Sequence, residues 1–102
     1  MTLDRPGIER AYELIKPHIR ITPVVRVEAT DLGLKNEAEP RLPPVVFKLE
    51  LLQRAGSFKT RGAFTHLLTR RVPAAGVVAA SGGNHGAAVA CAAHHLQVPA
   101  RI

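Results

Sequence analysis

Acidic side chains are scarce in this 102-residue chain, 8 against 14 lysines and arginines, which leaves a net charge of +6. There is one cysteine, no tryptophan, and aromatic residues make up only 4%. A lone Cys91 rules out a framework of intrachain disulfides and suits a reducing compartment. Few aromatics means few platforms on which nucleic-acid bases could stack. The basic residues are also scattered from Arg5 to Arg101, with only Arg70 and Arg71 adjacent, so charge alone argues weakly for a nucleic-acid partner. No apolar run approaches the ~20 residues of a membrane-spanning helix, and the opening Met1-Thr2-Leu3-Asp4-Arg5 is too polar for a signal peptide. The expectation is a soluble cytoplasmic protein without a membrane partner.

What is present is globular in character, with 46% hydrophobic residues and room for one small domain. Asp4 can cap a helix with Pro6 in its first turn and Ile8, Ala11, Leu14 and Ile15 on one face, ended by Pro17. Thr22-Pro23 forces extended geometry ahead of a short strand containing Val24, Val25 and Val27. The polar, proline-rich stretch from Asp31 to Pro44 reads as a surface connection. Val45, Val46, Phe47 and Leu49 suit a buried strand, Gly56 a turn, and Ser57 the N-cap of a helix running to about Arg71 with Phe64, Leu67 and Leu68 on one side. A second buried strand over Gly76 to Ala80, the turn Ser81-Gly82-Gly83-Asn84-His85-Gly86 and an alanine-rich helix from Ala87 to Leu96 complete a βαβα pattern with a parallel sheet. Gln97 to Ile102 looks like the entry to a third parallel strand. A sheet of so few strands cannot cover both faces, so residues 1–102 are expected to be the N-terminal portion of a larger domain.

Chemistry concentrates where predicted strands hand over to helices, the ligand-binding end of an open α/β sheet. Lys59 falls in the first turn of its helix, although helix dipoles favour cations at the other end. The same field favours an uncharged amine, the form that attacks carbonyls, which makes Lys59 a candidate imine-forming nucleophile; a solvated lysine is the plainer alternative. In the second stretch, glycines let backbone N–H groups approach a ligand, and a helix N-terminus favours an anion such as a carboxylate or phosphate. A tight turn with a helix cap is the alternative there. Gly82, Gly83 and Gly86 do not match the G-x-G-x-x-G spacing of a dinucleotide site.

Together the two stretches resemble the fold type II pyridoxal-phosphate enzymes, of tryptophan synthase beta-like fold, and within them the threonine/serine dehydratase and serine racemase group. The residues that carry the likeness are Lys48-Leu49-Glu50, Gln53, Gly56-Ser57-Phe58-Lys59, Arg61-Gly62-Ala63, Ser81 and Gly83-Asn84-His85-Gly86, in that order and at that group's separation. Thr22-Pro23 and Val98-Pro99-Ala100-Arg101 extend it over nearly the whole chain. The resemblance implies pyridoxal 5'-phosphate as cofactor, held by Lys59 through its aldehyde, with Asn84 on the ring oxygen and Phe58 beside it. Ser81, Gly83, Asn84 and His85 would take the substrate carboxylate. The implied reaction is that of an ammonia-lyase: Lys59 removes the Cα proton of a hydroxy amino acid, the β-hydroxyl leaves, and a 2-oxo acid and ammonia result. A homo-oligomeric full-length parent is implied as well.

Some features depart from the group. Its glycine run for the cofactor phosphate and its partner for the pyridine nitrogen lie further along a full-length chain and are absent here. Leu51 replaces an asparagine common in dehydratases, and Thr60 stands where threonine synthases carry an acidic residue. Gly82 replaces the second serine that serine racemases place after Ser81, whose hydroxyl serves the face opposite the lysine, so elimination is expected to dominate over racemisation. Other readings of the chain are a non-catalytic interaction or structural fragment and a basic nucleic-acid-binding module. No metal site is expected: His94 and His95 point about 100° apart on a helix, His18 and His66 are isolated surface or packing residues, and Cys91 reads as a small buried side chain.

Overall fold

The computed structural model describes residues 3–38 and 41–102. Asp4 caps α1 (Arg5–Ile15) as its position predicts, its Oδ1 accepting the Gly7 N–H at 2.7 Å, and Pro6 sits in the first turn. The chain then runs through β1 (Val24–Val27), a short 3₁₀ turn (Ala29–Leu32) and β2 (Val45–Lys48). A second 3₁₀ turn (Glu50–Leu52) precedes α2 (Lys59–Thr69), followed by β3 (Val77–Val78), α3 (Asn84–His95) and β4 (Ala100–Arg101). The surface connection expected over 31–44 is exposed along 31–38; residues 39 and 40 lie outside the described residues.

The core is a helix sandwich. α2 packs chiefly on α3 and also on α1. Phe64 and Leu67 of α2 meet Ala88, Ala92 and Ala93 of α3, with Ile15 and Ile19 closing the side. Small alanines let the α3 backbone come close to the bulky Phe64, which is wholly buried. Phe64 stacks on His18 with ring centroids 5.4 Å apart and meets His95 edge-on at 5.5 Å. His18 and His95 are therefore packing groups around one phenylalanine, as expected of His18. Cys91 is only partly buried, less than its alanine surroundings suggest.

The strands depart from the expected arrangement. β3 and β4 do pair in parallel, Val77 opposite Ala100 and Val78 opposite Arg101, joined by α3 as the crossover. Gly76 makes this approach possible: its φ is +89°, and a Cβ there would lie 1.9 Å from the Pro99 carbonyl oxygen. β2, however, is not a neighbour of β3. It pairs antiparallel with β1, Val25 opposite Phe47 and Val27 opposite Val45. Val46 and Phe47, expected in a buried strand, are 55% and 45% exposed, and Val78 is 79% exposed. The physical reason is that apolar strand residues are buried only when another layer covers them, and each of these sheets has two strands. Ile8 and Leu14 of the α1 face are likewise exposed. The resulting body is elongated, 58 × 30 × 22 Å, with a radius of gyration of 17.6 Å, against ~13 Å for a compact chain of this length.

Such uncovered faces have a consequence in solution. The chain is expected to self-associate through the β1–β2 ribbon, and Phe47→Ser should shift it toward monomer in sedimentation velocity. A wild-type chain that sediments as a monomer and unfolds in one sharp transition would contradict this.

Candidate active site

Lys59 is placed by a turn locked onto the helix it opens. Gly56, at φ +75°, reverses the chain, and Ser57 lies two residues before the first helical residue. The N-cap position falls on Phe58, with Ser57 contributing from just outside: its Oγ accepts the Lys59 N–H at 3.3 Å and its carbonyl accepts the Thr60 hydroxyl at 3.0 Å. Thr60, completely buried, also accepts the Ala55 N–H through Oγ1 at 3.2 Å. The hydroxyl at position 60 thus ties both arms of the turn together. Lys59 becomes the first residue of α2, exposed, with Nζ 5.4 Å from the Phe58 ring centroid. Among the described residues its ammonium forms no ion pair or hydrogen bond.

The turn is anchored to the rest of the chain by two polar residues whose roles the sequence did not reveal. Glu50 receives both prongs of the Arg61 guanidinium, Nε to Oε2 at 2.8 Å and an Nη to Oε1 at 2.9 Å, and Oε1 also accepts the hydroxyl of buried Thr22 at 2.6 Å. This bidentate hydrogen bonding from Arg61, assisted by Thr22 and Lys48, holds the Glu50 carboxyl down at about 2. Arg61 in turn is raised by its bonds to Glu50. Gln53, 2% exposed, accepts the Arg20 and Arg54 N–H groups through Oε1 and donates to the Arg20 carbonyl through Nε2. A buried side-chain amide here stands in for a strand partner, fixing the loop before Lys59 against residues 18–22.

The second stretch builds the start of α3. Ser81 Oγ accepts the Gly86 N–H at 3.1 Å and the Gly83 N–H at 3.3 Å, and the Gly83 carbonyl accepts the Ala87 N–H. Two of the N–H groups that every helix N-terminus leaves open are therefore satisfied. Those of Asn84 and His85 find no partner among the described residues. Gly86 is required by contact: a Cβ there would sit 2.4 Å from the Ser81 carbonyl oxygen.

The two stretches meet. A cleft of about 530 Å³ runs between α2 and the β3–α3 unit, with Lys59, Gly62, His66, Val77, His85 and Val89 among its walls. Of the expected site residues, Lys59 and His85 line it together. Phe58, Ser81, Gly83 and Asn84 are not part of its walls; Phe58 is 62% exposed beside Lys59, and Asn84 is the exposed first residue of α3. Ser81 is engaged as a helix cap, leaving its hydroxyl proton to donate. His66, which the sequence left as an isolated residue, reaches the cleft because it follows Lys59 by seven positions and so shares its helix face. That spacing was the signal available in the sequence.

Comparison with known proteins identifies the family and the fold. A family model described as pyridoxal-phosphate dependent enzyme matches residues 15–102. The chain is 44% identical over 91 residues to a phenylserine dehydratase from Ralstonia pickettii, covering 86% of this chain and 26% of that protein. It is 40% identical over 98 residues to a serine racemase from Arabidopsis thaliana, covering 94% and 28%. The structure of maize serine racemase superposes with a TM-score of 0.76 at 35% identity, over 95% of this chain and 29% of that one. The chain belongs to the pyridoxal-phosphate dependent enzyme family, its fold is part of the fold type II architecture, and its cofactor class is pyridoxal 5'-phosphate. It spans about a quarter of the length of the curated relatives it matches.

The Glu50–Arg61 fork makes stability depend on acid. The folded state keeps Glu50 ionised down to about pH 2, whereas the unfolded carboxyl protonates near 4.5. Its contribution is thus complete above pH 4.5 and is lost as pH falls toward 2. With the site open to solvent at its rim, screening leaves about 1–2 kcal/mol. Urea unfolding of wild type and Glu50→Gln should differ by that amount or more at pH 7, because the variant also strands Arg61, and the gap should close by pH 2. A gap that persists unchanged in acid would remove the fork from this role.

Proposed function

We propose that the full-length protein is a pyridoxal-phosphate ammonia-lyase of the threonine/serine dehydratase type, converting a hydroxy amino acid to a 2-oxo acid and ammonia. The observation that carries this reading is the shared cleft: an unpaired lysine amine at one helix N-terminus faces His85, at another helix N-terminus with two open backbone donors. The residues fit the cofactor and an amino acid. Among the described residues Lys59 has no competing partner and the Asn84 and His85 N–H groups have none, which leaves both N–H groups open to a carboxylate, as helix starts receive anions. Pyridoxal phosphate, when bound, supplies an electron sink for charge developing at Cα.

The chain's own groups do the rest. Lys59 would hold the cofactor through Nζ, and the same nitrogen, when free, would take the Cα proton. The Asn84 side-chain amide would donate to the cofactor, and the Ser81 hydroxyl would join the backbone N–H groups on the substrate carboxylate. Phe58 flanks the lysine, its ring centroid 5.4 Å from Nζ. Support for an ammonia-lyase comes from the dehydratase relative, and support for amino-acid chemistry in general from the racemase.

Mixing the chain with pyridoxal phosphate and borohydride should attach one cofactor at residue 59, read by peptide mass. Lys59→Ala should abolish that adduct, and in the intact enzyme nearly all turnover; Lys59→Arg should not rescue it, since arginine stays protonated. An adduct of undiminished yield in the alanine variant would assign the wrong lysine.

Gly82 bears on which reaction is favoured. A Cβ at this position meets nothing within 4 Å, and its φ lies outside the left-handed region, so turn geometry does not demand glycine there. A serine hydroxyl could be accommodated, and its absence leaves the face opposite Lys59 without that proton donor. In the intact enzyme, one enantiomer of serine should give keto acid much faster than inverted amino acid, and Gly82→Ser should raise inversion alone. Comparable rates of the two in the wild type would sink this assignment.

A further inference from the structure

Arg61 lies two residues beyond Lys59, so it projects from another side of α2. There it lines a second cleft, of about 350 Å³, which lacks Lys59 and every other residue of the first cleft's walls. Four cations converge on it from four parts of the chain: Lys16 after α1, Arg20 in the connection to β1, Lys48 at the end of β2, and Arg61. Tyr12, Ile19 and Ile21 supply its less polar surface.

Their pairing is incomplete. Arg61 commits Nε and one Nη to Glu50, and Lys16 is paired with Glu13. Arg20 gives one Nη1 hydrogen bond to the Leu52 carbonyl at 3.3 Å, and Lys48 one to the Thr22 carbonyl at 3.1 Å, with Glu50 at 3.9 Å. A guanidinium carries five N–H donors and an ammonium three, so each of the four keeps donors in reserve. Two carboxylates against four cations also leave two positive charges around one concavity, an arrangement that self-repulsion disfavours until an anion enters.

We propose that this cleft binds a phosphomonoester, its dianionic phosphate between Arg20 and Lys48 and its organic part against Tyr12 and the isoleucines. The charge selects a dianion over chloride or a simple carboxylate, and guanidinium geometry suits phosphate oxygens. The volume exceeds what phosphate alone fills, which favours an ester over the inorganic ion. Because the ligand would touch α1, β2 and α2 together, its binding would tighten the frame that holds Lys59.

Titration of the ¹⁵N-labelled chain with phenyl phosphate, at constant ionic strength in chloride, tests this. Saturable shifts should appear at residues 12–21, 48 and 61, with inorganic phosphate weaker at the same residues. Arg20→Gln combined with Lys48→Gln should weaken binding more than roughly tenfold, the scale of losing charged hydrogen bonds. Lys59→Ala should leave it unchanged, which separates this site from the cofactor cleft, and so should Arg70→Gln with Arg71→Gln. No saturable shift at millimolar phenyl phosphate overturns the proposal, as does equal weakening by the Arg70/Arg71 pair, which would mean general attraction to a basic chain. Stronger binding of inorganic phosphate than of the ester would overturn the assigned ligand class.

Discussion

The fork between Glu50 and Arg61 is the constraint on which the site depends. It joins the end of β2 to the first turn of α2, the two ends of the loop that carries Lys59. Neither end has another strong reason to stay: β2 is half exposed in a two-stranded ribbon, and the helix start carries no acid in its first turn to satisfy its dipole. Without the fork, the loop would be held by Gln53, Thr60 and the single hydrogen bonds that Leu49, Leu52 and Arg54 make to residues 18–23. Hydrogen bonds to a charged group are worth roughly twice neutral ones, and the bidentate geometry also fixes orientation. A lysine substitution at Arg61 would keep the charge and lose that orientation.

The same loop explains why a cation can occupy a helix N-terminus at all. An ammonium there gains nothing from the dipole, and the stability of α2 comes instead from burying Phe64 and Leu67 against α3. Tertiary packing frees the first turn to be chosen for what it presents to the cleft. The start of α3 shows the complementary choice: Ser81 Oγ satisfies the two outer donors, the Gly83 and Gly86 N–H groups, and among the described residues the two between them, on Asn84 and His85, remain open. One helix end thus presents an exposed ammonium and the other two open backbone donors, and the apolar α2–α3 contact sets the distance between them.

How much of this the sequence disclosed follows from the range of each interaction. Local features were legible: the Asp4 cap, the Gly56 turn, the helical stripe of Phe64, Leu67 and Leu68, and the first-turn position of Lys59 all depend on neighbours within a few residues. The motif around Ser81 reads locally only in part: α3 begins at Asn84, three residues before the expected Ala87, so Asn84, His85 and Gly86 form its first turn and do not belong to the preceding loop. Pairing was not legible. Val45, Val46 and Phe47 form an apolar run that suits a parallel or an antiparallel partner equally, and only the three-dimensional arrangement selects β1. Burial failed for the same strands, because periodicity records which residues could be covered and not whether a layer covers them. Glu50, Gln53 and Arg61 were visible as a pattern, but a pairing across 11 residues between Glu50 and Arg61, or 33 between Gln53 and Arg20, has no local signature. Ser57 stands one position outside the N-cap, within the one or two residues by which helix ends vary, and its Oγ still accepts the Lys59 N–H.

The uncovered sheets and the finished cleft are therefore less at odds than they look. The core that aligns Lys59 with His85 is made of α1, α2 and α3 around Phe64, and none of its buried members belongs to a strand. The strands act as rods that bring the chain to each helix start, held there by the Glu50 fork on one side and by the Gly76 and Gly86 contacts on the other. Covering the sheets with further layers would add stability without having to create the alignment. Loss of Phe64 would act in the opposite way, at a scale of about 3–5 kcal/mol for a buried aromatic replaced by alanine: the strands could persist while the two helix starts lost their fixed separation. The geometry of the cleft is thus a property of helix packing, and the sheets determine chiefly what else the body can join.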